Sequence, residues 1–249
     1  MIEVESLTKR FGKKTAVDHL SFSVKKGEVL GFLGPNGAGK STTMRMITGF
    51  FPPTSGDARI CDVSVVDRPM AAKRMVGYLP ESAPLYNDMT VIGFLKFCAQ
   101  SRGLHGGKRR RAIEAAIESC ALEQVVRQSI ATLSKGYRHR ACLAQALLHD
   151  PEVLILDEPT DGLDPNQKYE IRQLIRRLGE EKAILFSTHI LEEVDAACTR
   201  ALIVDRGKIV ADGTPEELHA QSPTGSLQDL FREVTSSDAD RMEEEILLD

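Results

Sequence analysis

Long apolar runs are missing from this chain. No window approaches the ~18–20 consecutive apolar residues that span a bilayer. The opening MIEVESLTKRFG holds no apolar run of the kind a signal peptide carries. If the protein serves a membrane, the expectation is that another chain does the spanning. Cysteine pairs are missing too. The five cysteines, Cys61, Cys98, Cys120, Cys142 and Cys198, are scattered with no C-x-x-C pair. That spacing argues against a disulfide framework or a zinc site and suits reduced thiols in a cytosolic protein. Strong charge of one sign is also lacking. A net charge of −4 over 249 residues argues, weakly, against nucleic acid as the main partner. There is no internal repeat and no low-complexity tract.

What is present is ordinary for a soluble globular protein: 42% hydrophobic and 27% charged residues, with length for one large domain or two small ones. Ile2, Val4 and Leu7, then Leu20, Phe22 and Val24, sit at strand-like spacing. EVLGFL (28–33) suits a buried strand, and STTMRMITGF after it a helix that Pro52, Pro53 and Gly56 end. DARICDVSV (57–65) reads as a further strand and MVGYL (75–79) as a short buried one. Segments 91–103, 108–121 and 123–128 carry helical spacing, so a helical insertion is expected up to about Leu148. VLILD (153–157), AILFS (183–187) and ALIVD (201–205) return as strands, with helices after the first two. Arg206-Gly207 reads as a hairpin turn into KIVADG. Strands alternating with helices predict an α/β fold with a parallel sheet covered on both faces.

Against that frame stands GPNGAGKS (34–41), a full match to G-x-x-x-x-G-K-[ST] between a strand and a helix. Its glycines let successive N–H groups point at one anion, and the following helix adds its positive end. Lys40 can reach β- and γ-phosphates and Ser41 can ligate Mg²⁺. VLILDEP delivers Asp157 to the C-terminal edge of the same sheet, where ligands bind in open parallel sheets. There Asp157 can hold Mg²⁺, and Glu158, facing the other way, can orient or deprotonate an attacking water. His189, at the end of LFSTH, can hold that water or donate to a phosphate. Read alone it is a helix-capping histidine, and only the neighbouring motifs favour the first role. LSKGYRHR (133–140) starts another helix, with Ser134 as N-cap, Gly136 permitting close approach, and Lys135. That is a second anion site in a chain with one phosphate cradle.

Together these segments resemble the ATP-binding subunit of ABC transporters over about residues 1–220. GPNGAGKST resembles its Walker A loop, placing Gly34, Pro35, Asn36, Gly37, Ala38, Gly39, Lys40, Ser41 and Thr42 around ATP. VLILDE resembles Walker B, DGLD (161–164) the D-loop with Asp164, STH (187–189) the H-loop, and LSKGYRHR the signature usually written LSGGQ. The resemblance implies a RecA-like P-loop core (1–85 and 149–220), an N-terminal antiparallel β subdomain, an inserted α-helical subdomain (about 86–148) and an acidic C-terminal extension (221–249). It implies two Mg·ATP sandwiched between two subunits, a homodimer or heterodimer, with Ser134 and Gly136 meeting the γ-phosphate held by the partner. Lys40 and Ser134 then act on the γ-phosphate, Ser41 and Asp157 on Mg²⁺, and Glu158 with His189 on the water. Phe11 takes the place of the aromatic that stacks on adenine. Two departures stand out. Lys135 and Tyr137 replace Gly and Gln in the signature. Glu81 replaces the Q-loop glutamine, which keeps a metal ligand but loses an amide donor.

The resemblance further implies an integral-membrane permease as partner, a place on the cytoplasmic face of the cell membrane, and no nucleic-acid partner. LSKGYR, the PE at the Q-loop and NDMTV look most like export-type ATPases of the gliding-motility and multidrug groups. The alternative is a soluble ABC ATPase acting on DNA or ribosomes, though the chain has no room for a long coiled coil or a second ATP-binding half. A GTPase or kinase lacks support, since no N-K-x-D run is present. KRRR (108–111) reads as a solvated helix start or as a contact for acidic headgroups or nucleic acid. SAPLYNDMT (82–90) reads as a packed loop or as a docking surface for a permease helix. The tail beyond Pro223 reads as a small regulatory or dimer-stabilising element or as a loosely held acidic end.

Overall fold

A computed structural model of the chain describes residues 1–82 and 84–235. The chain opens with β1 (Ile2–Phe11) and β2 (Lys14–Val24), an antiparallel hairpin, and β4 (Ser55–Ile60) pairs on the other side of β1. With the short β5 (Val63–Ser64) they form a four-stranded antiparallel sheet in the order β2-β1-β4-β5. Between them run β3 (Val29–Leu33) and α1 (Lys40–Ile47). The expected single strand over 57–65 is therefore two. Cys61 and Asp62 both take left-handed φ, 47° and 64°, and fold it into a tight hairpin.

The second sheet has six strands in the order β10-β9-β3-β8-β7-β6. Its members are β6 (Val76–Leu79), β7 (Val153–Asp157), β8 (Ala183–Thr188), β9 (Arg200–Asp205) and β10 (Lys208–Gly213), with β3 near the centre. All neighbours run parallel except β10, which returns from β9 through the Arg206-Gly207 turn. Every residue of β3, β7 and β8 is buried. The reason is a two-sided core. Val153, Ile155, Ala183 and Leu185 join the cluster under the antiparallel sheet and α1, while Leu154, Leu156, Ile184 and Phe186 join the cluster under the helices. Alternate side chains go to opposite faces, so a strand apolar on both faces reads as an unbroken run.

The segment between β6 and β7 is helical, with α3 (Val91–Ser101), α4 (Gly106–Ser119), a 3-10 turn (Ile130–Thr132) and α5 (Lys135–Leu147). Residues 123–128 do not form the expected helix but a string of turns. A short helix, α2 (Pro69–Arg74), precedes β6; α6 (Pro165–Gly179) and α7 (Glu192–Ala197) follow β7 and β8. Past β10, α8 (Pro215–Gln221) and α9 (Leu227–Thr235) pack back on the sheet, burying Leu218, Leu227 and Leu230 against Leu33 and Ile203. This part of the expected extension is held by the core. The acidic RMEEEILLD lies outside the described residues. Among the described residues no helix is long and apolar enough to cross a membrane.

Candidate functional site

The C-terminal ends of β3, β7 and β8 lie side by side, with Leu33 opposite Thr188 and Asp157 opposite Ser187. The loops leaving these ends bring together segments far apart in sequence. The turn after β3 ends at Gly39, whose φ of 104° and close approach to the Ala16 carbonyl, 2.5 Å from any added Cβ, demand glycine. Gly39 is also the N-cap of α1 and supplies no side-chain cap, so the first-turn N–H groups remain available to an anion. From below, the β9–β10 turn props this loop: Gly207 N donates to Ala38 O at 2.9 Å, and Asp18 N donates to Gly207 O at 2.9 Å.

A cavity of about 350 Å³ opens above the loop. Phe11, Pro35, Asn36, Gly37, Gly39, Lys40, Ser41, Thr42, Glu81 and Glu158 line it, all of them sequence-predicted. Gly34 and Ala38 are buried in the loop itself. Lys14 and Ala16 also line the cavity and were missed. Their only signal is position, for Lys14 faces Phe11 across the β1–β2 hairpin. Phe11 is half exposed, edge-on to Phe51 at 6.0 Å and with Lys9 Nζ 5.4 Å from its ring centre.

Asp157, in contact with the cavity-lining Ser41, is fully buried. Its Oδ1 accepts from Ser41 Oγ at 3.1 Å and from Ser187 Oγ at 2.6 Å, while Oδ2 is buried with no hydrogen-bond partner. A buried carboxylate oxygen without a donor, beside a serine hydroxyl, suits a divalent cation. Ser187, within the predicted STH run but given no role there, also accepts from Glu158 N at 2.9 Å and so sets where β7 ends. Glu158 leaves the strand in the left-handed region, φ 51°, which turns its carboxylate away from Asp157's side. One oxygen lies 2.9 Å from His189 Nδ1, the other 3.6 Å from Lys40 Nζ. Burial pushes the Glu158 carboxyl above its usual range, and the neighbouring His189 and Lys40 pull it part of the way back. Lys40 Nζ donates to Gly34 O at 2.6 Å and Pro35 O at 3.2 Å, which holds the ammonium at the loop.

The signature residues lie elsewhere. No residue of 133–140 lines the first cavity. Ser134 caps α5, its Oγ accepting from Tyr137 N at 3.4 Å, which leaves the hydroxyl proton free to donate. Asp164 likewise caps α6, accepting from Gln167 N at 3.0 Å. Gly136 is buried where an added Cβ would strike the Gln167 side chain, so the two helix starts are packed together. Lys135 pairs with Asp161 at 3.3 Å. A second cavity, lined by Glu81, Ser82, Leu133, Lys135, Arg138, His139 and Asp161, lies here, and Glu81 faces both cavities. His139 is buried with Nε2 unpartnered. Burial and Lys135 lower its pKa, with Asp161 opposing.

Comparison with known proteins identifies the family. The family model described as ABC transporter matches residues 17–161. The probable multidrug ABC transporter ATP-binding protein YbhF of Escherichia coli (strain K12) is 38% identical over 230 residues, which is 92% of this chain but 40% of that protein. The chain thus spans less than half the length of that relative. The Nod factor export ATP-binding protein I of Ralstonia nicotianae is 39% identical over 219 residues, 88% of this chain and 68% of that one. A solved ATP binding subunit of an ABC transporter superposes with a TM-score of 0.85 at 30% identity, covering 95% of this chain and 100% of the other. The phosphate loop, the buried aspartate beside it and the glutamate–histidine contact thus sit in a chain that belongs to the ABC transporter ATP-binding family.

Proposed function

We propose that the chain is the ATP-hydrolysing subunit of an ABC transporter. It binds Mg·ATP between two copies of itself, or between one copy and a homologue, and drives export through a separate integral-membrane permease from the cytoplasmic face of the membrane. The names of its relatives, multidrug and Nod factor export, support the direction. The observation that carries hydrolysis is Glu158, a mostly buried carboxylate on the wall of the phosphate cavity, touching His189 and near Lys40.

Adenine stacks on the half-exposed ring of Phe11. The loop N–H groups and Lys40 hold the β- and γ-phosphates and neutralise the charge that builds as the γ-phosphoryl leaves. Ser41 and Asp157 are the residues that would hold Mg²⁺, with Glu81 at the cavity wall as a further oxygen, and the ion would neutralise phosphate charge there. Glu158 accepts the proton of the attacking water, and His189 keeps the carboxylate turned toward it. Two half-sites in one chain support a dimer. The cradle cavity has no wall from the signature, and Ser134 at the start of the signature helix keeps a hydroxyl proton to donate. Exposed Tyr86 and Phe97, their rings 5.4 Å apart, offer an apolar patch to the permease.

Glu158→Gln tests this reading. The variant is expected to bind ATP with near-normal affinity, to hydrolyse it about 100-fold or more slowly, and to accumulate as an ATP-bound dimer in sedimentation runs. Turnover at the wild-type rate would remove Glu158 from its role.

A further inference from the structure

Behind the Glu158–His189 contact lies a second connection between the same two loops. Glu193, in the first turn of α7, is fully buried, and its Oε1 accepts a hydrogen bond from the Thr160 hydroxyl. Thr160 is buried as well, two residues past Glu158 in the turn that ends β7. That turn is pinned by Asp161 N donating to Glu158 O at 3.1 Å and Leu163 N donating to Thr160 O at 3.2 Å. On the other side, Glu193 lies four residues past His189, and its N–H donates to Ile190 O at 3.1 Å. Arg172, from the middle of α6, brings Nη2 to 3.6 Å from the same Oε1. One carboxylate thus joins the loop of the base, the loop of the histidine, and the helix that Asp164 caps.

Stability alone explains this cluster poorly. A buried ion pair is a weak source of stability, and this one is incompletely satisfied: Glu193 Oε2 and Arg172 Nε are both buried without a hydrogen-bond partner. Apolar side chains of the same size would fill the space at lower cost. What a charged group supplies and an apolar one does not is a directional link to a particular hydroxyl.

We infer that Glu193 is a positioning residue for hydrolysis, holding the Glu158 loop in register with the His189 loop through the Thr160 hydroxyl. This inference rests on Glu158 being the base. Glu193 touches neither nucleotide nor water; it acts through the two loops it joins. Without the Thr160 link the loops can slide past each other, and the 2.9 Å contact between Glu158 and His189 opens. The phosphate loop, which takes no part in the cluster, keeps its grip on ATP.

The test compares Thr160→Val, which keeps the shape but removes the hydroxyl, with Thr160→Ser, which restores it, and runs Glu158→Gln in parallel. ATP-binding stoichiometry, ATP affinity, KM and kcat are measured on the purified full chain, with kcat referred to the ATP-binding fraction. Thr160→Val is expected to lower kcat about 10- to 100-fold, the scale of a misplaced catalytic group, with affinity and KM little changed, and Thr160→Ser to recover most of the rate. The inference is overturned if Thr160→Val turns over normally, if its rate falls only as ATP binding falls, or if Thr160→Ser stays as slow as the valine. An active Glu158→Gln removes the base assignment itself. A dead Glu158→Gln beside a normal Thr160→Val removes the clamp alone.

Discussion

At the scale of single residues, contiguous signals were legible and long-range ones were not. Gly34 to Thr42 and Asp157-Glu158 are runs in which each residue type has one reason to be there, so reading the string locates the site. Ser187, Thr160 and Glu193 carry no such mark. Glu193 sits in ILEEVD, which reads as a solvated acidic turn, and only the fold shows it buried under Thr160. His139 is a similar case. It faces Lys135 and Arg138 on its own helix, and Asp161 and Glu81 on neighbouring loops. Burial holds its folded pKa below the usual 6.5, so as pH falls through that value the unfolded chain takes up the proton first. Its contribution to stability is therefore complete above the unfolded pKa and declines as pH falls toward the folded one. His139→Gln is expected to flatten the drop in Tm between about pH 7 and 5; an unchanged slope in a melting series would count against a neutral buried imidazole.

Elements were legible by periodicity, and failed where backbone groups serve a neighbour. Residues 123–128 have helical spacing, yet Val126 O and Gln128 O accept from Ile92 N at 2.9 Å and Val91 N at 3.1 Å. Those are first-turn donors of α3, which no residue inside α3 can satisfy. The segment gives its carbonyls to another helix instead of forming its own. The strand expected over 57–65 split for a different reason, a two-residue turn without glycine, whose usual signal is absent. At this scale α5 makes a separable prediction. Ser134→Ala removes the N-cap at a cost of about 1 kcal/mol and also removes the hydroxyl expected to meet a partner's γ-phosphate, lowering turnover about 100-fold. Ser134→Asn, an equally good cap, is expected to regain the stability in urea unfolding but not the turnover. Recovery of both would make Ser134 a cap and nothing more.

On the scale of the whole molecule, the chain closes on itself. The described part of the C-terminal segment is a working piece of the core, since Leu230 on α9 is buried with Leu227 and Leu218 against Leu33, the last residue of β3. Leu230→Ala is expected to cost about 2–3 kcal/mol in denaturant unfolding. A loss below 0.5 kcal/mol, the level of a surface substitution, would mean the helix is only loosely attached. The polar composition past Pro223 hid this, because Leu227 and Leu230, with Phe231 and Val234 packed beside them, form one apolar face on a helix that also carries charged residues.

The turn at Arg206-Gly207 carries one more implication. It supports the phosphate loop at Ala38 and the β2 strand at Asp18, and β3, from which that loop springs, is flanked by strands from 183–188 and 200–205. The grip on phosphate is spelled out within the first fifth of the chain but takes shape only from the last fifth. During synthesis on the ribosome, the early segment therefore waits for residue 207 to emerge before it can hold nucleotide, and a nascent chain stopped short of that point has the motif without the pocket.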